Sequence, residues 1–151
     1  EKLGQEVTFL NDCAGPDVEK ACADPTPGSV IPLENLRYHV EEDGKGVDKD
    51  GKEIKADKED VRKFRESLAK LADIHVNDTF GSGFVEQSSM VGEGYAWTCS
   101  GFHLDKEQDA LAKVLAAPAR PVLAIIGGEV RDNMELIMHM IDKVEMMIIG
   151  G

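Results

Sequence analysis

Nothing in this chain marks it for a membrane or a nucleic acid. Its longest apolar runs, Pro121–Ile126 and Met146–Ile149, fall far short of the roughly 20 residues that a bilayer-spanning helix needs. The opening EKLGQEV does not read as a secretory signal. The formal net charge is -12 and no basic stripe is visible, so a nucleic-acid partner is not expected. Acidity of this kind favours solubility and selects no particular ligand. Cysteine is scarce: Cys13, Cys22 and Cys99 are odd in number and show no CxxC spacing. Free thiols in a reducing, cytoplasmic compartment are the expectation, with no disulfide and no metal site.

What remains is a chain of 151 residues with 42% hydrophobic content, enough for one ordinary domain or parts of two. It starts at Glu1 without a methionine and stops at Gly150-Gly151 directly after a buried-type strand, so the expectation is a piece of a longer protein.

Strand and helix patterns alternate along it. Val7–Leu10 and Ser29–Leu33 read as short strands around a helix over Asp17–Ala23, with Pro16 at the helix start. From Lys58 to Leu71, Val61, Phe64, Leu68 and Leu71 recur at helical spacing and make one apolar face. Ile74–Val76 is a third strand. Between these elements lies EEDGKGVDKDGKEIKAD, whose DG turns suit an exposed hairpin around Val47–Ile54. The EF-hand order of acidic ligands with a closing glutamate at the twelfth position is absent. Asp105–Ala116 is a further helix. Val122–Ile126, a helix over Arg131–Val144, and Met146–Ile149 then form a β-loop-α-loop-β unit. Both strands of that unit end in Gly-Gly, which places bare backbone at the edge where open α/β sheets bind ligands. The clustered methionines (Met134, Met138, Met140, Met146, Met147) are expected in the core, and Trp97 in a loop. The fold class is therefore α/β, built of βα units on parallel sheet.

One stretch poses a problem of its own. NDTFGSGFVEQSS, residues 77–89, follows a strand and carries the Gly81-Ser82-Gly83 turn that suits close approach to an anionic ligand. Yet Phe84, Val85, Glu86 and Gln87 supply no cation.

The segments VTFLNDCAGPDVEKA, GSVIPLENLRYHVEEDGKG, FRESLAKLADIHVNDTFG, SSMVG, RPVLAIIGG and DKVEMMIIGG, taken in order, resemble the phosphoglycerate kinase family over nearly the whole chain. The resemblance implies two Rossmann-like domains joined by a long interdomain helix. Residues 1–104 would be the later part of the substrate-binding domain, 105–117 the interdomain helix, and 118–151 the start of the nucleotide-binding domain. It implies phosphoryl transfer between 1,3-bisphosphoglycerate and ADP, with 3-phosphoglycerate and Mg-ATP/ADP as ligands. Arg37 and Gly81 would face 3-phosphoglycerate. Gly127, Gly128, Gly150 and Gly151 would lie near the nucleotide, and Glu107 in the hinge.

Against that family the chain departs at both phosphate-facing loops. NDAFGTAHRAHSS carries His-Arg-Ala-His where Phe84, Val85, Glu86 and Gln87 stand here. GGAKVxDK is replaced by the shorter GGEVRDN, with Glu129 near the first lysine and Asn133 in place of the second; Arg131 is close by. The stretch Ala96-Trp97-Thr98-Cys99 departs as well. No catalytic residue of the family is intact in the chain. Weak or absent ligand binding by the chain alone is the expectation, with exposed sheet edges that a protein partner could cover. Two readings stay open: a piece of a working kinase, or a non-catalytic relative kept for binding or structure.

Overall fold

The computed structural model describes residues 3–81, 86–129, 131 and 133–150. Two compact units divide it, Glu1–Leu104 and Asp105–Gly151.

In the first unit, α1 (Pro16–Cys22) starts on a proline, whose missing N–H costs nothing at a helix start. A 3-10 turn over Leu36–Tyr38 leads into the short α2 (Val40–Asp43). The hairpin expected from the DG turns is present: β1 (Lys45–Val47) pairs antiparallel with β2 (Glu53–Lys55), with Gly46 opposite Ile54. Asp48 closes its turn, its Oδ1 accepting from the backbone N–H of Asp50 and of Lys52, each at 2.9 Å. That oxygen shapes the turn, as aspartate side chains commonly do.

The amphipathic helix is α3 (Lys58–Ala69), capped by Asp57. Phe64 and Leu68 are buried and pack with Cys13, while Ala14, Leu33, Leu36 and Leu71 close around them. Ser67, also buried, accepts from the Gly15 N–H and donates to Glu19 Oε1, which fixes α1 against α3. β3 (Ile74–Asn77) runs parallel to β4 (Trp97–Ser100), with Ile74 opposite Trp97 and Asn77 opposite Ser100. α4 (Ser88–Val91) lies between them in sequence.

Four expectations are corrected here. Trp97 is not in a loop but opens β4, and its side chain is 72% exposed. Val7–Leu10 and Ser29–Leu33 are extended but form no regular strand. Thr8 N–H donates to Val30 O at 3.1 Å and Leu10 N–H to Pro32 O at 3.0 Å. The return bond onto Thr8 would come from residue 32, and Pro32 has no N–H to give. The helix expected over Arg131–Val144 is only α6 (Met134–Met140), since Ile141–Lys143 turns out of it. Finally, Met134, Met138 and Met146 are exposed rather than core.

The second unit contains most of α5 (Phe102–Ala116), then β5 (Leu123–Ile126), α6 and β6 (Met146–Ile149). β5 and β6 are parallel and in register from Leu123↔Met146 to Ile126↔Ile149, as the βαβ reading requires. Among the described residues of this unit only Ile137 is buried. One seven-residue helix can cover only part of a two-stranded sheet, which leaves Met134, Met138 and Met146 exposed. No described helix is long and apolar enough to cross a membrane.

Candidate functional site

The first cluster lies in the first unit. Asn35 Oδ1 accepts the Arg37 N–H at 3.0 Å and so nucleates the 3-10 turn that presents Arg37. The Arg37 side chain is exposed and borders a groove of about 460 Å³ with Tyr38, Val40, Lys45 and Ile54. Among the described residues no carboxylate pairs with its guanidinium, so the fork is available for a bidentate anion.

The loop that opens with NDTFG is held at its start and at its end. Asn77 Oδ1 accepts the Thr79 N–H at 3.0 Å, which turns the chain out of β3. Asp78 Oδ1 accepts from the backbone N–H of His103 at 2.7 Å and of Leu104 at 3.0 Å, in the first turn of α5. Gly81 follows, exposed, with nothing within 4 Å of where a Cβ would stand. Phe84, Val85 and Gly151 lie outside the described residues. Glu86 is exposed.

At the loop's end, three consecutive residues meet three others. Gln87 Nε2 donates to Asp43 Oδ1 at 2.5 Å, and the Ser88 hydroxyl donates to Glu41 O at 2.7 Å. Ser89 gives its N–H to Glu42 Oε2 at 3.0 Å and its hydroxyl to Glu42 Oε1. Gln87 and Ser88 are buried, as is Glu42. The Gln87 side chain, which stands where the family motif has a histidine, is committed to Asp43. The sequence signal was available, since Gln-Ser-Ser against Glu-Glu-Asp is a donor run against an acceptor run. Nothing in one sequence says that the two runs meet.

In the second unit, Gly127, Gly128 and Gly150 come together at the carboxyl ends of β5 and β6. The Gly150 N–H donates to Ile126 O at 3.0 Å, and a Cβ on Gly127 would stand 3.7 Å from Gly150 O. Gly128 has φ +92°, a backbone region that L side chains rarely adopt. Asn133 Nδ2 donates to Glu129 O at 3.0 Å and Gly127 O at 3.4 Å, so Asn133 braces the turn rather than reaching outward. Glu129 and Arg131 are exposed. The edge thus offers bare backbone. At the other end of the sheet, Glu145 accepts the Val122 N–H at 2.7 Å and pairs with Arg120. Both interactions hold its carboxyl below the usual range, the backbone bond first. Glu107 is half-buried on α5.

Asp12, Cys13 and His39 bring three ligand-type atoms within 4.8 Å of one another. Hydrogen bonding accounts for the group. Asp12 Oδ1 takes the His39 ring nitrogen at 2.7 Å and the Cys13 N–H at 2.7 Å, which lowers its pKa. Burial pushes the Cys13 thiol up to about 11. His39 stacks on Phe64 at 5.2 Å, so it belongs to the edge of the core.

Comparison with known proteins supports the motif reading. A sequence model of the phosphoglycerate kinase family matches residues 1–151. Phosphoglycerate kinase of Gallus gallus is 57% identical over 150 residues, which is 99% of this chain and 36% of that protein. Phosphoglycerate kinase 2 of Homo sapiens is likewise 57% identical, with the same shares covered. Among solved structures, phosphoglycerate kinase from Pyrococcus horikoshii OT3 superposes with a TM-score of 0.76 at 25% identity, covering 99% of this chain and 36% of that one. The enzyme from Coxiella burnetii gives 0.69 at 28% identity, covering 99% and 34%. The chain spans about 36% of the length of the curated relatives it matches. With its motifs in family order and an α/β fold with parallel strands, the chain belongs to the phosphoglycerate kinase family.

Proposed function

We propose that the protein to which these residues belong transfers a phosphoryl group between 1,3-bisphosphoglycerate and ADP, as a glycolytic kinase of the cytoplasm. In this reading residues 1–104 carry part of the 3-phosphoglycerate side, 105–117 the interdomain helix with Glu107 in the hinge, and 118–151 the start of the nucleotide side. The observation that carries it is the identity of 57% with family members over 99% of the chain. Phosphoryl transfer depends on positioning and charge neutralisation more than on covalent chemistry. Arg37 suits a phosphate or carboxylate of the substrate. The Gly127-Gly128 turn and Gly150, with Gly151 beyond it, suit close backbone approach to nucleotide phosphates. Mg²⁺, when bound with the nucleotide, supplies the charge that offsets those phosphates. Arg131 follows that turn in sequence and is the cation that suits the role, while the carboxylate of Glu129 is of the opposite charge. Loss of the family's cations at Val85 and Glu129 weakens binding by this segment taken alone. The unpaired edges of the two parallel strand pairs are where further chain, or a protein partner, would add.

The test is to place residues 1–151 in the full-length Gallus gallus relative, in exchange for its aligned segment, and to measure ATP formation from 1,3-bisphosphoglycerate. Transfer slower than the parent is expected, and Val85→Arg with Glu129→Lys should raise it. Absence of transfer and of 3-phosphoglycerate binding, even with both cations restored, would overturn the reading.

A further inference from the structure

We propose that Asp78 is a positioning residue: it latches the start of the loop after β3 to the first turn of α5, and thereby sets where that loop can present ligand-facing groups. The catalytic consequence rests on the phosphoryl-transfer reading; the latch rests on geometry.

The first N–H groups of a helix have no partner within it, and the residue before the helix ordinarily supplies a side-chain acceptor. Before α5 that residue is Gly101, which has no side chain to offer. Asp78, from the end of β3, takes its place by accepting from His103 N–H at 2.7 Å and Leu104 N–H at 3.0 Å. Its negative charge sits at the positive end of a 15-residue helix, where it is favourable. The backbone adds a bond beside it, Gly101 N–H to Asn77 O at 2.8 Å. The fit also explains the glycine: a Cβ at position 101 would stand 2.4 Å from Asp78 Cγ and Oδ1. Meanwhile Asn77 turns the loop by accepting from Thr79 N–H. The Asn-Asp pair therefore divides its work, one side chain shaping the loop and the other holding the helix. The loop cannot shift its origin without surrendering two helix amides.

The experiment uses the full-length protein carrying residues 1–151, with amide hydrogen exchange and transfer kinetics as readouts. In Asp78→Ala the His103 and Leu104 amides should exchange about tenfold faster, as loss of a helix cap implies, while amides in the middle of α5 stay unchanged. Asp78→Asn, which keeps an acceptor oxygen, should retain most of the protection. Gly101→Ala should expose the same amides. On an Asp78→Gly background it should add less than about twofold, because every side-chain atom it strikes, the Cβ at 2.6 Å included, is gone. With Val85→Arg in place to give the loop a cation, Asp78→Ala should lower the transfer rate about tenfold with the KM for nucleotide nearly unchanged, since a displaced ligand-facing group costs rate. Asp78→Asn should recover it. Unchanged exchange in Asp78→Ala, or full additivity of Gly101→Ala with Asp78→Gly, overturns the latch. Faster exchange with an unaltered transfer rate overturns the positioning role. If the parent with residues 1–151 transfers nothing, the transfer reading and the positioning role that rests on it both fall, and exchange still decides the latch.

Discussion

Glu42 gives the sharpest energetic prediction. It is 3% exposed, lies on α2, and has no cationic partner among the described residues. Its two oxygens accept from the N–H and the hydroxyl of Ser89. Hydrogen bonds to a charged group contribute about 1.5–3 kcal/mol each, so two give roughly 3–6 kcal/mol before costs. Burying a carboxylate without a countercharge offsets part of that. Glu42→Ala should then destabilise the first unit by about 2–4 kcal/mol, because it leaves the half-buried donor pair of Ser89 without its acceptor. Glu42→Gln keeps the volume and one acceptor oxygen, so it can satisfy one donor of Ser89 and should cost about 1–2 kcal/mol. Urea denaturation followed by circular dichroism measures both, with an unchanged m-value as the sign that the unfolded state is not the cause. The order wild type, Gln, Ala is the essential result. A Glu42→Ala protein within about 0.5 kcal/mol of wild type, or a Gln variant as damaged as Ala, would refute the assignment of those bonds as the anchor of residues 87–89.

Leu68 is 4% exposed and packs with Phe64 and Cys13, so Leu68→Ala should cost about 2–5 kcal/mol in the same urea assay. Glu19 and Asp12 have carboxyl pKa values below their ordinary ones, Glu19 first through the Ser67 hydroxyl and Asp12 first through His39. A lowered folded-state pKa gives stability that is present above the ordinary carboxyl range and lost as pH falls through the folded values. Acid titration of stability should therefore show a slope below about pH 4 that Glu19→Gln reduces; an identical slope in that variant would contradict the assignment. Asn133→Ala frees the carbonyls of Gly127 and Glu129, and should speed proteolysis or exchange of residues 127–133 while leaving the β5–β6 pairing intact.

How much of this was legible beforehand depends on whether the cause was local. The hairpin around Val47–Ile54, the face of Phe64 and Leu68, and the parallel unit of β5 and β6 follow from turn chemistry and periodicity, which are carried by neighbours in sequence. Pro32 shows the limit on the strand side: its effect on Thr8 exists only once two distant segments lie side by side. Trp97 shows the same limit from the opposite direction, since β4 is a strand because β3 is beside it, not because WTCS demands it. The site divides along the same line. Arg37 and the glycine pairs carry local signatures, a capped turn and strand ends. Asp78 and Gly101 carry none, being 23 positions apart and individually ordinary. Gln87 shows what lies outside a single sequence. Read along the chain it sits in a loop stripped of cations; read in space it is buried and its amide donates to Asp43. A cation restored at position 87 would meet the Asp43 carboxylate first, so Val85 is the better position at which to test the loop's charge deficit.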